Sequence, residues 1–151
     1  MNTLDDILQQ LLQEAISAEG AIKGTLQRYC KANNRLEIIA SIGFTSEFLS
    51  HFKNVKPFDS SCCGRAFGVG GVIIISDVEE DVSFKPNLQV AKEAGFRAVK
   101  SVPIFDSKGQ KIGVLSTHFK EPKWSWDTKK LTPILTRLTE VFEENPTLIH
   151  G

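Results

Sequence analysis

Arg97, Ser101, Ser116 and His118 are the residues of this 151-residue chain whose types and spacing most invite chemistry. Each sits at even spacing within an otherwise apolar segment, residues 97–105 or 110–119. If those segments are strands, alternation sends all four side chains to one face. There a guanidinium or an imidazole can make charge-assisted bonds to an anionic or carbonyl-bearing ligand, and the serine hydroxyls can orient it. The competing use is internal: the serines and His118 can satisfy buried backbone groups or each other, and Arg97 can pair with Asp77 or Glu93.

Catalytic patterns are absent. The chain has no Gly-Lys-Ser/Thr phosphate loop and no His-Glu-x-x-His zinc helix, and Gly68-Val69-Gly70-Gly71 is short and precedes a strand, so it is read as a turn. Cys62-Cys63 invites a metal or redox reading, but Cys30 is the sole further cysteine and no histidine is close in sequence. Both are read as small buried hydrophobes. No motif pairs a nucleophile with a base, so no catalytic residue and no metal ligand is assigned.

Charge and composition narrow the partners. Eighteen Lys and Arg balance eighteen Asp and Glu, which argues against nucleic acid and anionic lipid. The longest apolar run, residues 72–75, is far short of the ~20 residues that span a bilayer. Residues 1–14 lack the basic start and solid apolar stretch of a signal peptide. An odd number of cysteines, two of them adjacent, does not suit a disulfide framework. The expected location is the cytoplasm, with reduced thiols.

The elements that must hold the polar residues follow from periodicity. Leu4, Ile7, Leu8, Leu11, Leu12, Ala15 and Ile16 form one stripe of an N-terminal helix over residues 1–18, ended by Gly20. Residues 21–30 and 35–42 read as a hairpin around the turn at 31–34. Short helices are expected over 45–52 and from Ser60 or Ser61 to Phe67, and a strand apolar on both faces over 72–76. Pro86 opens a helix that Gly95 stops, and residues 97–105 and 110–119 form a second hairpin around 106–109. A closing helix is expected over 125–144, with Pro133 forcing either a start near Thr132 or a kink, and Pro146 ending it. Trp124 and Trp126 are read as packing at its start.

If Asp106 and Gly109 close a paired two-residue loop, Arg97 lies opposite His118, Val99 opposite Ser116 and Ser101 opposite Val114. That polar face is expected to line a cavity walled by the 60–67 helix, Asp77 and residues 84–96. The reverse face, with Ala98, Val102, Ile104, Leu115 and Phe119, suits the apolar terminal helices.

Four blocks, Ser61-Cys62-Cys63-Gly64-Arg65-Ala66, Val72-Ile73-Ile74-Ile75-Ser76-Asp77-Val78, Gly95-Phe96-Arg97-Ala98-Val99-Lys100-Ser101-Val102-Pro103-Ile104 and Gly113-Val114-Leu115-Ser116-Thr117-His118-Phe119, resemble bacterial GAF domains and occur in family order. The likeness spans nearly the whole chain, and Leu-Ser-Thr-His-Phe on the last strand resembles modules attached to sensor histidine kinases of two-component systems. It implies one domain over residues 1–151 with the α+β, GAF/profilin-like fold: an antiparallel five- or six-stranded sheet over residues 19–121, order 2-1-5-4-3, with terminal helices on one face and a pocket on the other. It also implies a non-enzymatic sensory module that binds an unidentified small molecule, with Arg65, Asp77, Phe84, Arg97, Ser101, Ser116 and His118 as candidate ligand-binding residues. A homodimer through the terminal helices and a downstream kinase or other signalling domain are the expected protein partners. The alternatives are a ligand-free dimerisation domain and a small redox enzyme of the family.

The cofactors of known relatives find no anchor here. Residues 84–96 contain no histidine for haem and no cysteine for a bilin, and Ala98 and Ser101 stand where methionine sulfoxide reductases of the family need a thiolate. The Asn-Lys pair of cyclic-nucleotide binders is also absent. No cofactor is expected.

Overall fold

In the computed structural model, which describes residues 2–127 and 129–150, the N-terminal stripe folds as helix α1 (Leu4–Glu19). Thr3 Oγ1 accepts from the Asp6 amide while the Asp6 carboxylate accepts from the Thr3 amide, a reciprocal cap that satisfies two otherwise orphaned donors. Gly20, at φ 70°, ends the helix in the left-handed conformation that glycine adopts without steric cost.

Five strands follow: β1 (Lys23–Cys30), β2 (Arg35–Ile42), β3 (Ile73–Ile75), β4 (Ala98–Phe105) and β5 (Lys111–Phe119). They form one antiparallel sheet in the expected order β2-β1-β5-β4-β3. On one face, Leu26, Val102, Ile104 and Leu115 pack against Leu8 and Leu12 of α1 and against Leu138 and Phe142 of α5 (Thr132–Glu144). The opposite face, with Val99 and Val114, is covered by α2 (Ser46–His51), α3 (Cys62–Val69), α4 (Leu88–Ala94) and the 3-10 turn Lys85–Asn87. The sheet thus divides two apolar clusters. Alternation along each strand decides which cluster a side chain joins.

The β4–β5 pairing differs from the expected one by two residues. Val99 lies opposite His118 and Ser101 opposite Ser116. The Asp106 amide donates to the Gln110 carbonyl, so the loop is one residue longer than assumed, and a bulge between Ile104 and Phe105 adds a second. Each irregularity inverts the faces, and together they restore them. The polar set therefore keeps its face while its cross-strand partners change, and Arg97 falls just outside β4, its amide bonded to the Phe119 carbonyl.

Three further expectations are corrected. The strand expected over 72–76 is three residues long and lies at the sheet edge, where Ile73 and Ile74 are only half-buried and Val72 is exposed. The closing helix starts at Thr132 rather than 125, because Pro133 fits the first turn, where no amide is needed, and leaves α5 without a kink to explain. Beyond Pro146 the chain adds a short turn, α6 (Thr147–His150), that seats Leu148 in the core. Of the two tryptophans, Trp126 packs edge-to-face on Phe119 at 5.0 Å, while Trp124 is 70% exposed.

The face covered by the terminal helices also carries a charge. Lys100 stands between Ala98 and Val102, and its ammonium lies 2.6 Å from Glu19 Oε1 and 3.1 Å from the Asp127 carbonyl. Both side chains are almost fully buried, at 4% and 2% exposure. Desolvation of such a pair consumes much of its Coulomb energy, yet removing one partner strands the other charge. Glu19→Ala is therefore expected to destabilise the fold by about 3–5 kcal/mol, while Glu19→Leu combined with Lys100→Met recovers most of that loss. Urea unfolding of the three proteins checks both outcomes.

Candidate ligand cavity

Local turns set the walls of the cavity. Ser61 Oγ accepts from the Gly64 amide at the start of α3 and donates to Asp59 Oδ1. A Cβ at Gly64 would collide with that Asp59 carboxylate and with the Lys56 carbonyl, so glycine lets α3 sit close to its own preceding turn. This seating brings Cys62 over the sheet, its thiol 3.4 Å from the Ile73 carbonyl. Thr45 caps α2 and aims Phe48 into the same space. Asp81 Oδ1 accepts from both the Phe84 amide at 2.9 Å and the Arg65 guanidinium at 3.0 Å, which fixes Phe84 as a further wall.

Between these walls and the sheet lies a cavity of about 30 Å³. That is room for one or two water molecules. Its floor is polar: Thr25 and Gln27 of β1, Ser101 of β4, and Ser116 and His118 of β5. The hydroxyls of Ser101 and Ser116 are 2.7 Å apart. The His118 ring meets Phe44 and Phe96 edge-to-face at 4.8 and 4.7 Å. Among the described residues, Gln27 Oε1 and His118 Nδ1 are buried without a hydrogen-bond partner.

Burial sets the protonation of this site. Desolvation pushes the His118 pKa down to about 3, opposed only in part by a hydrogen bond to the Lys23 backbone. The imidazole is neutral at physiological pH. Burial likewise pushes the Cys62 thiol up to about 12, against a weaker opposing bond to Ser101, and raises Cys63. Neither thiol is poised as a thiolate nucleophile. No group of three His, Cys, Asp or Glu side chains that could hold a metal ion occurs among the described residues.

Of the seven candidate residues from the sequence, Phe84, Ser101, Ser116 and His118 line the cavity. The other three lie outside it. Arg97 is 37% exposed and bonds Asp77 bidentately, at 3.1 Å through Nε and 2.8 Å through Nη2, with Glu79 beside it. The hydrogen bond from Arg97 holds the Asp77 carboxyl below its ordinary range. Arg65 is committed to Asp81. Sequence reasoning missed Thr25 and Gln27, although the alternation argued for the second hairpin, applied to the first, would have placed them on the same floor.

An open antiparallel sheet with terminal helices on one face and a walled polar cavity on the other defines a small α+β pocket domain. The GAF domain family model matches residues 2–139, and the chain belongs to the GAF domain family. Similar folds include a domain of a protein described as a two-component sensor histidine kinase from Sinorhizobium meliloti 1021, with 14% identity, TM-score 0.75, and 95% of this chain and 93% of that chain covered. The GAF domain of an Acinetobacter phosphoenolpyruvate-protein phosphotransferase matches at 16% identity and TM-score 0.77 over 97% and 85% of the two chains. Free methionine-R-sulfoxide reductase from Neisseria meningitidis, in complex with its substrate, matches at 18% identity and TM-score 0.76 over 96% and 81%. At these identities the likeness establishes the fold. No curated protein matches in sequence. Among the described residues no helix is long and apolar enough to cross a membrane.

The neutral His118 generates a pH signature. Its folded pKa of about 3 lies below the unfolded value of about 6.5, so between them the unfolded chain binds the extra proton. The stability it contributes is complete above about pH 6.5 and declines as pH falls, at up to about 1.4 kcal/mol per pH unit. Urea midpoints between pH 7 and 5 are expected to fall for the wild type and to lose most of this slope in His118→Phe.

Proposed function

We propose that this domain is a non-enzymatic sensory module of bacterial signalling that takes a small molecule into the cavity on the polar face of its sheet. The observation that carries this reading is the pair of buried, unpartnered polar atoms on the cavity floor, Gln27 Oε1 and His118 Nδ1. A buried polar group without a partner costs about 1–3 kcal/mol, so an occupant that completes these bonds is stabilised by the fold. Phe84, Ser101, Ser116 and His118 contact the ligand in this reading. Arg65, Asp77 and Arg97 act from outside by holding the walls in place.

Entry of a metabolite requires the cover to move, since the cavity as it stands is about 30 Å³ and ligand pockets occupy roughly 300–1,000 Å³. Asn87 ties the cover together, with Oδ1 3.0 Å from His51 Nε2 and Nδ2 donating to Ser60 Oγ at 3.1 Å. Opening this junction frees α2 and the start of α3 while the terminal helices stay docked. The resemblance to sensor modules supports a cytoplasmic setting and a downstream kinase or other signalling domain as output. A homodimer through α1 and α5 draws less support, because α1 buries Leu8, Leu11 and Leu12 internally and exposes Asp6, Gln9, Gln10 and Gln13.

A thermal-shift screen of cellular metabolites tests the proposal. A ligand at 100 times its Kd adds about 2.7 kcal/mol, which is roughly 5–10 °C in Tm for a domain of this size. At least one metabolite is expected to give such a shift in the wild type and to lose it in Ser101→Val combined with Ser116→Val. If no metabolite raises the Tm and native mass spectra show bare protein, the sensory reading fails.

A further inference from the structure

We infer that the cavity, taken as the ligand site proposed above, selects an uncharged molecule with an apolar body and a hydrogen-bond donor, and rejects carboxylates and ammonium groups. The first warrant is the lining. Its polar members are an amide, hydroxyls, thiols and an imidazole, and among the described residues no Lys, Arg, Asp or Glu side chain lines it.

Charged groups around the cover are already committed, Asp59 among them, whose carboxylate accepts from the Ser61 hydroxyl and the Lys56 amide. Arg65 bonds Asp81, Arg97 bonds Asp77, and the Lys111 ammonium donates to the Phe67 carbonyl at 2.7 Å. An ion entering the cavity would give up its hydration without meeting a countercharge, and that penalty exceeds what neutral dipoles return. The neutral state of His118 agrees with this lining, since it removes the one side chain able to supply a positive charge.

The donor requirement comes from the floor. Gln27 Oε1 accepts nothing among the described residues, and an amide oxygen can only accept. Ser101 and Ser116 spend one hydroxyl proton on each other, which leaves acceptor lone pairs on both oxygens. The Cys62 thiol is directed at the Ile73 carbonyl. The floor therefore offers acceptors in excess of donors, and an incoming N–H or O–H meets them. The apolar body follows from the cover, where Phe48, Phe52, Phe84 and Phe96 present rings that pack on flat apolar surface.

Four single-ring probes of similar size separate these terms on the intact chain at pH 7: phenol, anisole, benzoate and benzylamine. Binding is read by calorimetry and by amide shifts at Ser101, Ser116 and His118. Phenol is expected to bind about tenfold more tightly than anisole, the equivalent of one recovered hydrogen bond, and the two ions are expected not to bind at concentrations that saturate with phenol. Gln27→Met should collapse the phenol preference to near unity. If that variant does not fold, the wild-type Gln27 side-chain amide signal is followed instead, and it must shift with phenol and stay fixed with anisole. Benzoate or benzylamine matching phenol, or anisole equal to it, overturns the ligand class while leaving the cavity a ligand site. Failure of all four probes also overturns the ligand class. The sensory reading then stands or falls on the metabolite screen alone.

Discussion

Val99, Lys100 and Ser101 are consecutive, yet they belong to two different interiors. Alternation sends Val99 and Ser101 to the cavity and Lys100 to the face of the terminal helices, where Glu19 neutralises it. A slip of one residue in β4 would carry the ammonium into the aromatic cover and leave Glu19 buried opposite a serine. Either change strands a buried charge, at a cost of several kcal/mol. The ion pair thus works less as a source of stability than as a register pin, in a sheet whose two faces demand different side chains.

With register fixed, the asymmetry of the two faces follows. The terminal helices supply long apolar stripes and leave no room on their side, as Gly24 shows: a Cβ there would lie 3.0 Å from both Leu12 and Ile16. The opposite face is covered by short helices whose ends are set by local caps at Thr45, Ser61 and Gly70. Short pieces tile a surface less completely than two long helices do. The remaining gap is where the floor keeps polar groups without partners. Asn87 joins this cover at one point, bonded to His51 next to Phe52 and to Ser60 before α3, and none of these bonds reaches the α1–α5 side.

Much of this was legible in the sequence. The caps of the short helices, the glycine stop at Gly95 and the face shared by Ser101, Ser116 and His118 follow from local patterns, while the strand order came with the family resemblance. The cross-strand partners did not, because a glycine at 109 fits both a two-residue loop and the three-residue loop that forms, where it takes φ 81°, and the further bulge between Ile104 and Phe105 leaves no compositional mark. Arg97 takes the internal option the sequence left open: one residue before β4, it bonds Asp77 and does not reach the cavity. Lys100 reads as a misfit in an apolar strand until Glu19, far away in sequence, is brought beside it. The neutrality of the cavity is likewise a three-dimensional fact, since it depends on which charges pair outside it.

The proposed ligand site lies on the β4–β5 floor beneath α2, α3 and Phe84. The most direct test is a crystal structure with the metabolite that most raises the Tm. Density for that molecule is expected against Gln27, Ser101 and His118, with Phe48 and Phe84 displaced and the Lys100–Glu19 pair intact. Density elsewhere on the domain, with the aromatic cover still closed over the floor, would contradict it.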